Sequence, residues 1–520
     1  MLIRVLLLLV FFGVTIFVGL YFRKRAASVN DFVLGGRNVG PWLSAFSYSV
    51  TYFSAVVFVG FAGQFGWRFG ISAVWIGLGN ALIGALLAWF LLGRRTRIMT
   101  NHLKSATMPE FFGARYSSTA LKLAASLIVF IFLIPYTASL YNGLSRLFAM
   151  AFDVPFEYCI WAMGILTAIF VVAGGYVATV VNDFIQGMIM LGGIFAVIAV
   201  ALSQKGGFTQ AFIQLSKVEA VTEGPFAGSP GVLTSILGPD PISLLGVVLL
   251  TSLGAWGLPQ MVARFYSIKS EKMITKGAIV STIYAVLIAG GCYFLGSFGR
   301  IFVTPNADNA LIPSTGFDGI IPTILQNFNS DVMIGVIIVL VFAASISTLS
   351  SLVMASASTL TLDFLKGHII KEMSDKKQLI IIRALIVVFI IISSVIAISV
   401  YQGGITFIAQ LMGISWGALA GAFLAPFLYG LYWKRATAAS VWCSFIFSSA
   451  LMTLNVLFRP SFPEILRSPI NAGAFCMLAG LVIIPLVSSF TKAPSKESVD
   501  NSFSCYEEDV TVKAKTALGD

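Results

Sequence analysis

Between residues 343 and 361 the chain reads Ala343-Ala344-Ser345-Ile346-Ser347-Thr348-Leu349-Ser350-Ser351 and runs on to Ser356, Ser358, Thr359 and Thr361. On a helix, Ser347, Ser350 and Ser351 share one face at i, i+3 and i+4, with Ala344 and Thr348 adjoining it. Neutral hydroxyls and backbone carbonyls are hard oxygen ligands that suit a weakly held, partly dehydrated Na+. Mg2+ or Ca2+ would want carboxylates, and this stretch has none. The competing use of such hydroxyls is to bond back to carbonyls one turn earlier. Two further runs break an apolar pattern: Ser47-Tyr48-Ser49-Val50-Thr51-Tyr52-Phe53-Ser54-Ala55, with Gly60 and Gly63 beyond it, and Leu253-Gly254-Ala255-Trp256-Gly257-Leu258-Pro259-Gln260. Glycine and proline weaken any helix there. From Ile160 to Ser203 the strongly polar residues are Asn182, Asp183 and Gln186. An acid within a membrane is a functional candidate, although Asp183 also stands where it could cap a helix.

The elements that must position these residues follow from composition. The 520 residues are 58% hydrophobic and 11% charged, with a mean hydropathy of +0.92, against ~25% charged in soluble domains. So little charge cannot cover a water-soluble surface, which excludes a soluble enzyme, a disordered scaffold and a nucleic-acid binder. At ~20 apolar residues per crossing, thirteen spans are expected, near 2–22, 41–64, 71–93, 119–150, 156–180, 183–203, 239–262, 274–300, 331–362, 378–400, 404–430, 438–458 and 470–490. The first, followed by Arg23, Lys24 and Arg25, reads as a retained signal-anchor. Alternate loops carry 24 of the 33 Lys and Arg residues, including the 263–273 loop with its edges, and the opposite set carries seven. The basic set is therefore cytoplasmic. This puts the amino terminus outside, the carboxyl terminus inside, and makes the net charge of +11 a topology signal. Residues 491–520, rich in Ser, Glu, Asp and Lys, read as a disordered cytoplasmic tail. The five cysteines form no CxxC pair, and the two histidines, His102 and His368, fall in basic loops, so neither a disulfide framework nor a zinc site is indicated.

The two interrupted spans lie five apart in order, one opening spans two to six and the other spans seven to eleven. An odd offset inverts the second block relative to the first. Matched interruptions in two halves point to a midplane site in a secondary transporter. The organisation expected is a first helix and loop (1–40), inverted repeat one (41–203), inverted repeat two (239–430), two peripheral helices (431–490) and the tail.

Asp31-Phe32-Val33-Leu34-Gly35-Gly36-Arg37 leading into the polar second span, Ser347-Thr348-Leu349-Ser350-Ser351 ending in Thr361-Leu362-Asp363, and Gly430-Leu431-Tyr432-Trp433-Lys434-Arg435 together resemble the solute–sodium symporter family. The likeness covers roughly residues 30–440. It implies an all-α polytopic membrane protein with an inverted five-plus-five, LeuT-like core. It also implies a sodium ion between the second and ninth spans, held by the carbonyls of Val50, Phe53 and Ala344 and the hydroxyls of Ser347 and Thr348. Some sialic-acid relatives show a second sodium; the matching positions are Asp183, Ser350 and Ser351. Substrates of the family sit beside the breaks, which makes Ser54, Tyr136, Trp256 and Gln260 the candidates. Tyr136 matches a tyrosine of proline symporters, whereas their second-span acid is replaced by Tyr52, and Thr251 stands at the register of their seventh-span tryptophan. Thr51–Ala55, Val181–Asp183 and Gly257–Pro259 look closer to pantothenate permeases. No arginine is expected mid-span to clamp a carboxylate.

The function expected is import of a small organic solute coupled to Na+ by alternating access at the cell membrane. A small carboxylate, pantothenate- or monocarboxylate-like, comes first, with proline or another amino acid as the alternative. No enzyme is expected, since a nucleophile or metal cluster is wanting. A cation channel would need a re-entrant filter, and a membrane sensor would need a signalling domain larger than this tail. A monomer suffices for the cycle, with solute, sodium and membrane lipid as partners.

Overall fold

The structure, a computed structural model, describes residues 2–517 apart from 24–27, 38, 153, 220, 329, 367, 371 and 404–407. Lys24, Arg25 and Lys371 of the basic set, the first residues of the eleventh expected span and the last three of the tail lie outside the described residues. Every named element is helical, and the extended pairings among the described residues are isolated bridges. The principal helices are α1 (Leu2–Phe22), α2 (Pro41–Tyr52), α3 (Ala62–Phe69), α4 (Thr119–Phe152), α5 (Phe156–Ser203), α6 (Pro241–Gly257), α7 (Pro259–Tyr266), α8 (Ile274–Ser297), α9 (Asp331–Thr359), α10 (Asp375–Gly403), α11 (Ile408–Tyr432), α12 (Ala438–Leu457), α13 (Pro469–Phe490) and α14 (Lys496–Ala517).

Ten helical runs among the described residues are long and apolar enough to cross a membrane, and α6 with α7 makes an eleventh. The thirteen expected crossings follow only if two long runs are divided. Val56–His102 and α5 span 47 and 48 residues, each about 70 Å at ~1.5 Å per residue, more than twice a bilayer core of ~30 Å. Gly70, at φ 62°, and Gly175, at φ 60° and ψ −160°, are the breaks available. The turn expected near Val181 to Asn182 thus falls earlier, at the residue able to take a left-handed backbone.

Both expected interruptions are present. Helix α2 starts with proline in its first turn and ends at Phe53, whose backbone is extended at φ −109° and ψ 106°. The chain resumes helix when the amides of Val57 and Phe58 bond to Ser54 O. Helix α6 stops at Leu258, extended at φ −87° and ψ 122°, and Pro259 opens α7 at a bend of 47°. Proline has no amide to continue α6 and a fixed φ suited to a first turn. The start of the first broken segment and the end of the second are tied together: Val39 N donates to Ser267 O and Lys269 N to Val39 O, both at 3.2 Å.

Close helix contact depends on glycine at one crossing above all. A Cβ on Gly66 would stand 2.0 Å from the Gly296 carbonyl carbon, and one on Gly296 1.9 Å from Ala62 O. Small residues let membrane helices approach this closely. Gly296→Ala should therefore cost at least the ~1–3 kcal/mol of an overpacked core, read as a lower melting temperature in detergent. An unchanged melting temperature would contradict the contact.

The motifs that carried the family resemblance largely form a clamp of charged side chains on backbone carbonyls and hydroxyls. Gly35 and Gly36 take positive φ of 60° and 64°. They turn Arg37 toward the carbonyls of Ser105 (2.5 Å), Tyr266 (3.2 Å) and Thr100 (3.4 Å). Asp363, buried, accepts from Thr107 Oγ1 at 2.5 Å and meets Lys122 Nζ at 3.3 Å. Arg115 holds the carbonyls of Gly430 at 2.9 Å and Trp433 at 3.1 Å. The tail corrects an expectation. Lys496–Ala517 is helix rather than disordered chain, and Ser502, Phe503 and Cys505 are buried. Arg115 lies 4.8 Å from the Phe503 ring, and Asn501 O meets His102 Nε2 at 2.7 Å. Val499, Ser502, Phe503 and Tyr506 share one helical face, a stripe that the tail's polar composition hides.

Candidate functional site

Where α2 breaks, the carbonyls of its last turn lose their intrahelical amide partners. Helix α9 packs alongside, against α2, α4 and α5, and turns its hydroxyl face toward that gap. Thr348 Oγ1 donates across it to Thr51 O and back to Ala344 O, each at 3.2 Å. Phe53 and Ala344 line one small cavity with Ser54, Met190 and Leu340. Val50, Phe53, Ala344, Ser347 and Thr348 are all buried. The expected first-site residues are thus brought to one junction, although the carbonyl bonded to Thr348 is that of Thr51 rather than Val50.

Asp183 stands at the centre of a second cluster. It is fully buried inside α5, two turns past the Gly175 break, and not at a helix start. The capping alternative is therefore set aside. Ser347 Oγ donates to Asp183 Oδ1 at 2.5 Å, and Ser47 Oγ donates to Oδ2. One carboxylate so links α2, α5 and α9. A serine that gives its only proton to a carboxylate keeps its lone pairs for another ligand. Ser347 is therefore oriented by Asp183 and still able to coordinate a cation.

The cluster holds a residue the sequence reading placed in a cytoplasmic loop. Arg264, on α7, is 2% exposed. Its Nη2 lies 3.3 Å from Asp183 Oδ2, donates to Thr51 Oγ1 at 2.9 Å and also donates to Ser351 Oγ. Its guanidinium carbon sits 5.1 Å from the Tyr176 ring, immediately after the Gly175 break. Its placement in a loop is corrected: the guanidinium is buried at this junction and spent on Asp183. The available signal was the i, i+4 spacing of Gln260 and Arg264, which on a helical α7 puts both on one face. They line one cavity with Tyr176, Thr179, Ser351 and Met354.

Of the remaining second-site candidates, Ser351 belongs to this cluster, while Ser350 does not: its hydroxyl bonds to Ile346 O at 2.6 Å. The back-bonding alternative holds at that position, as at Ser345 and Ser358.

The substrate candidates divide into three places. Ser54 and Tyr136 lie together beside the α2 break. Trp256 Nε1 donates to Ile83 O at 3.0 Å, which fixes its indole against the 74–102 run. Gln260, its Oε1 without a hydrogen-bond partner among the described residues, lies in the Arg264 cavity. Sequence reasoning missed Trp416 on α11. Its ring centroid is 5.9 Å from Tyr136 and 6.1 Å from Tyr52, and Tyr52 stacks on Phe53 at 4.5 Å. Tyr52 is itself fixed by donating to Thr251 O at 2.5 Å. These aromatic rings wall the break with apolar faces and no formal charge. Among the described residues no group of three or more His, Cys, Asp or Glu could hold a metal ion.

A family model described as the sodium:solute symporter family matches residues 32–447. The chain is 27% identical to the osmoregulated proline transporter OpuE of Bacillus subtilis, over 94% of this chain and 95% of that one. It is likewise 27% identical to the sodium/proline symporter 2 of Staphylococcus saprophyticus, over 94% and 93%. A Na+-coupled sialic acid symporter solved in a substrate-bound outward-open state shares the fold. Its TM-score is 0.76 at 18% identity, covering 95% of this chain and 98% of that one.

Proposed function

Because the chain belongs to the sodium:solute symporter family, we propose that it imports a small zwitterionic amino acid, proline first, with one Na+ bound where broken α2 meets α9. The single observation that carries this reading is Thr348 bridging the Thr51 carbonyl of α2 and the Ala344 carbonyl of its own helix. Sodium takes the carbonyls of Val50, Phe53 and Ala344 and the hydroxyls of Ser347 and Thr348. Binding there joins α2 to α9 and completes the solute place beside Ser54, Tyr136 and Trp416. One block of helices then rocks against the other, with residues 41–203 and 239–430 as inverted repeats, and sodium leaves to the cytoplasm. The amino terminus lies outside and the carboxyl terminus inside.

Two things favour the amino acid over the small carboxylate first expected. The relatives at 27% identity are proline transporters by name. The one arginine at the junction is engaged by Asp183, which leaves no cation to clamp an anion. Energetics agree. One charge crossing 100 mV supplies ~2.3 kcal/mol and a tenfold sodium gradient ~1.4 kcal/mol. A neutral solute with one sodium can thus be concentrated several-hundredfold, whereas a monoanion with one sodium moves no net charge and keeps only about tenfold.

Competition against labelled proline uptake in proteoliposomes, with a panel of amino acids, pantothenate and small monocarboxylates, tests the substrate. Proline and close analogues should compete and the carboxylates should not; the reverse order would overturn the choice of solute. Tyr136→Ala should raise the solute KM about five- to tenfold, the worth of one lost aromatic contact of ~1–1.5 kcal/mol. The half-saturating sodium should move far less.

A further inference from the structure

We propose that Arg264 is a tethered cation that fills the second cation place of this protein, so that the chain binds one sodium ion and not two. The inference rests on the sodium-coupled reading above and concerns its stoichiometry.

The positions that the resemblance to sialic-acid relatives assigns to a second ion are Asp183, Ser350 and Ser351. Asp183 Oδ2 has Arg264 Nη2 at 3.3 Å, and Ser351 Oγ accepts from the same nitrogen. Ser350 is turned to Ile346 O. Thr51 Oγ1, 3.3 Å from Ser351 Oγ, completes the set around Nη2 at 2.9 Å. A carboxylate and two hydroxyls converging on one cationic nitrogen is the environment a small cation would need, already taken.

Charge balance points the same way. Asp183 and Arg264 are both buried and cancel. A sodium ion added to the pair would leave a net positive charge where water cannot screen it, beside a guanidinium that repels it. Sodium and Arg264 are therefore exclusive at this place. The arginine is also held there. Ser267 Oγ bonds to Arg264 O at 2.9 Å and to the Tyr176 hydroxyl at 2.7 Å, and the Tyr176 ring lies 5.1 Å from the guanidinium carbon. Helix α7 is thereby fastened to the same stretch of α5 that carries Asp183.

Equilibrium binding of radiolabelled sodium to the purified full chain tests this without knowledge of the solute. Wild type should bind one sodium per chain. Arg264→Gln, which keeps a polar side chain but removes the charge, should bind two. Arg264→Gln with Asp183→Asn should return to one. Two ions on the wild type, or one on a folded Arg264→Gln protein, would overturn the proposal. If the variants do not fold, the wild-type count alone decides. A count of zero would instead overturn the sodium-coupled reading itself.

Discussion

Asp183→Ala is expected to abolish solute accumulation and to lower thermal stability markedly. The substitution strands a buried guanidinium, since Arg264 loses its counter-ion while Tyr176, Thr51 and Ser351 still enclose it. Breaking a buried pair by removing one member costs ~3–5 kcal/mol, much of it the uncompensated charge. It also releases Ser47 and Ser347, whose protons Asp183 accepts, so that α2, α5 and α9 lose their shared anchor. Removing both charges, as in Asp183→Ala with Arg264→Met, should recover most of the stability, because an apolar pair of similar volume avoids the stranded charge. Transport should stay low, since Ser347 is no longer oriented. Melting temperature and uptake measured side by side separate the two effects. A single Asp183→Ala variant as stable as wild type would contradict the ion pair.

Thr348→Ala should raise the sodium concentration for half-maximal uptake about tenfold, equivalent to ~1.4 kcal/mol of lost ligation, with maximal uptake approached again at high sodium. Thr348→Ser keeps the oxygen and should stay near wild type. Ser350→Ala serves as the contrast. Its hydroxyl is spent on Ile346 O, so sodium dependence should not move. Equal responses at 348 and 350 would mean that the hydroxyl stripe acts as bulk polarity rather than through specific oxygens.

These contrasts show how far the residue pattern alone could go. The hydroxyl stripe, the polar stretch before Ala55 and the Gly–Leu–Pro break were legible because each violates the apolar rule of a membrane span. The structure places all three where helices are interrupted or face an interruption. Which hydroxyl faces where was not legible: Ser347 and Ser350 differ by one helical turn, yet one meets Asp183 and the other its own helix. Arg264 was hidden by the same reasoning that oriented the chain. Counting basic residues loop by loop assigns an arginine near a span end to the water side, and a long side chain can instead run back along its helix. Gly175 was not separable from the many packing glycines until its backbone was seen to be left-handed. The docked tail helix escaped notice because its polar residues outnumber the short stripe that binds it.

Sodium coupling at the junction of α2 and α9 is tested most directly by uptake of labelled proline into proteoliposomes at clamped pH and membrane potential. An inward sodium gradient is compared with the same gradient of choline. Accumulation above the external concentration with sodium, and mere equilibration with choline, is the predicted result. Equal accumulation with either cation would contradict it.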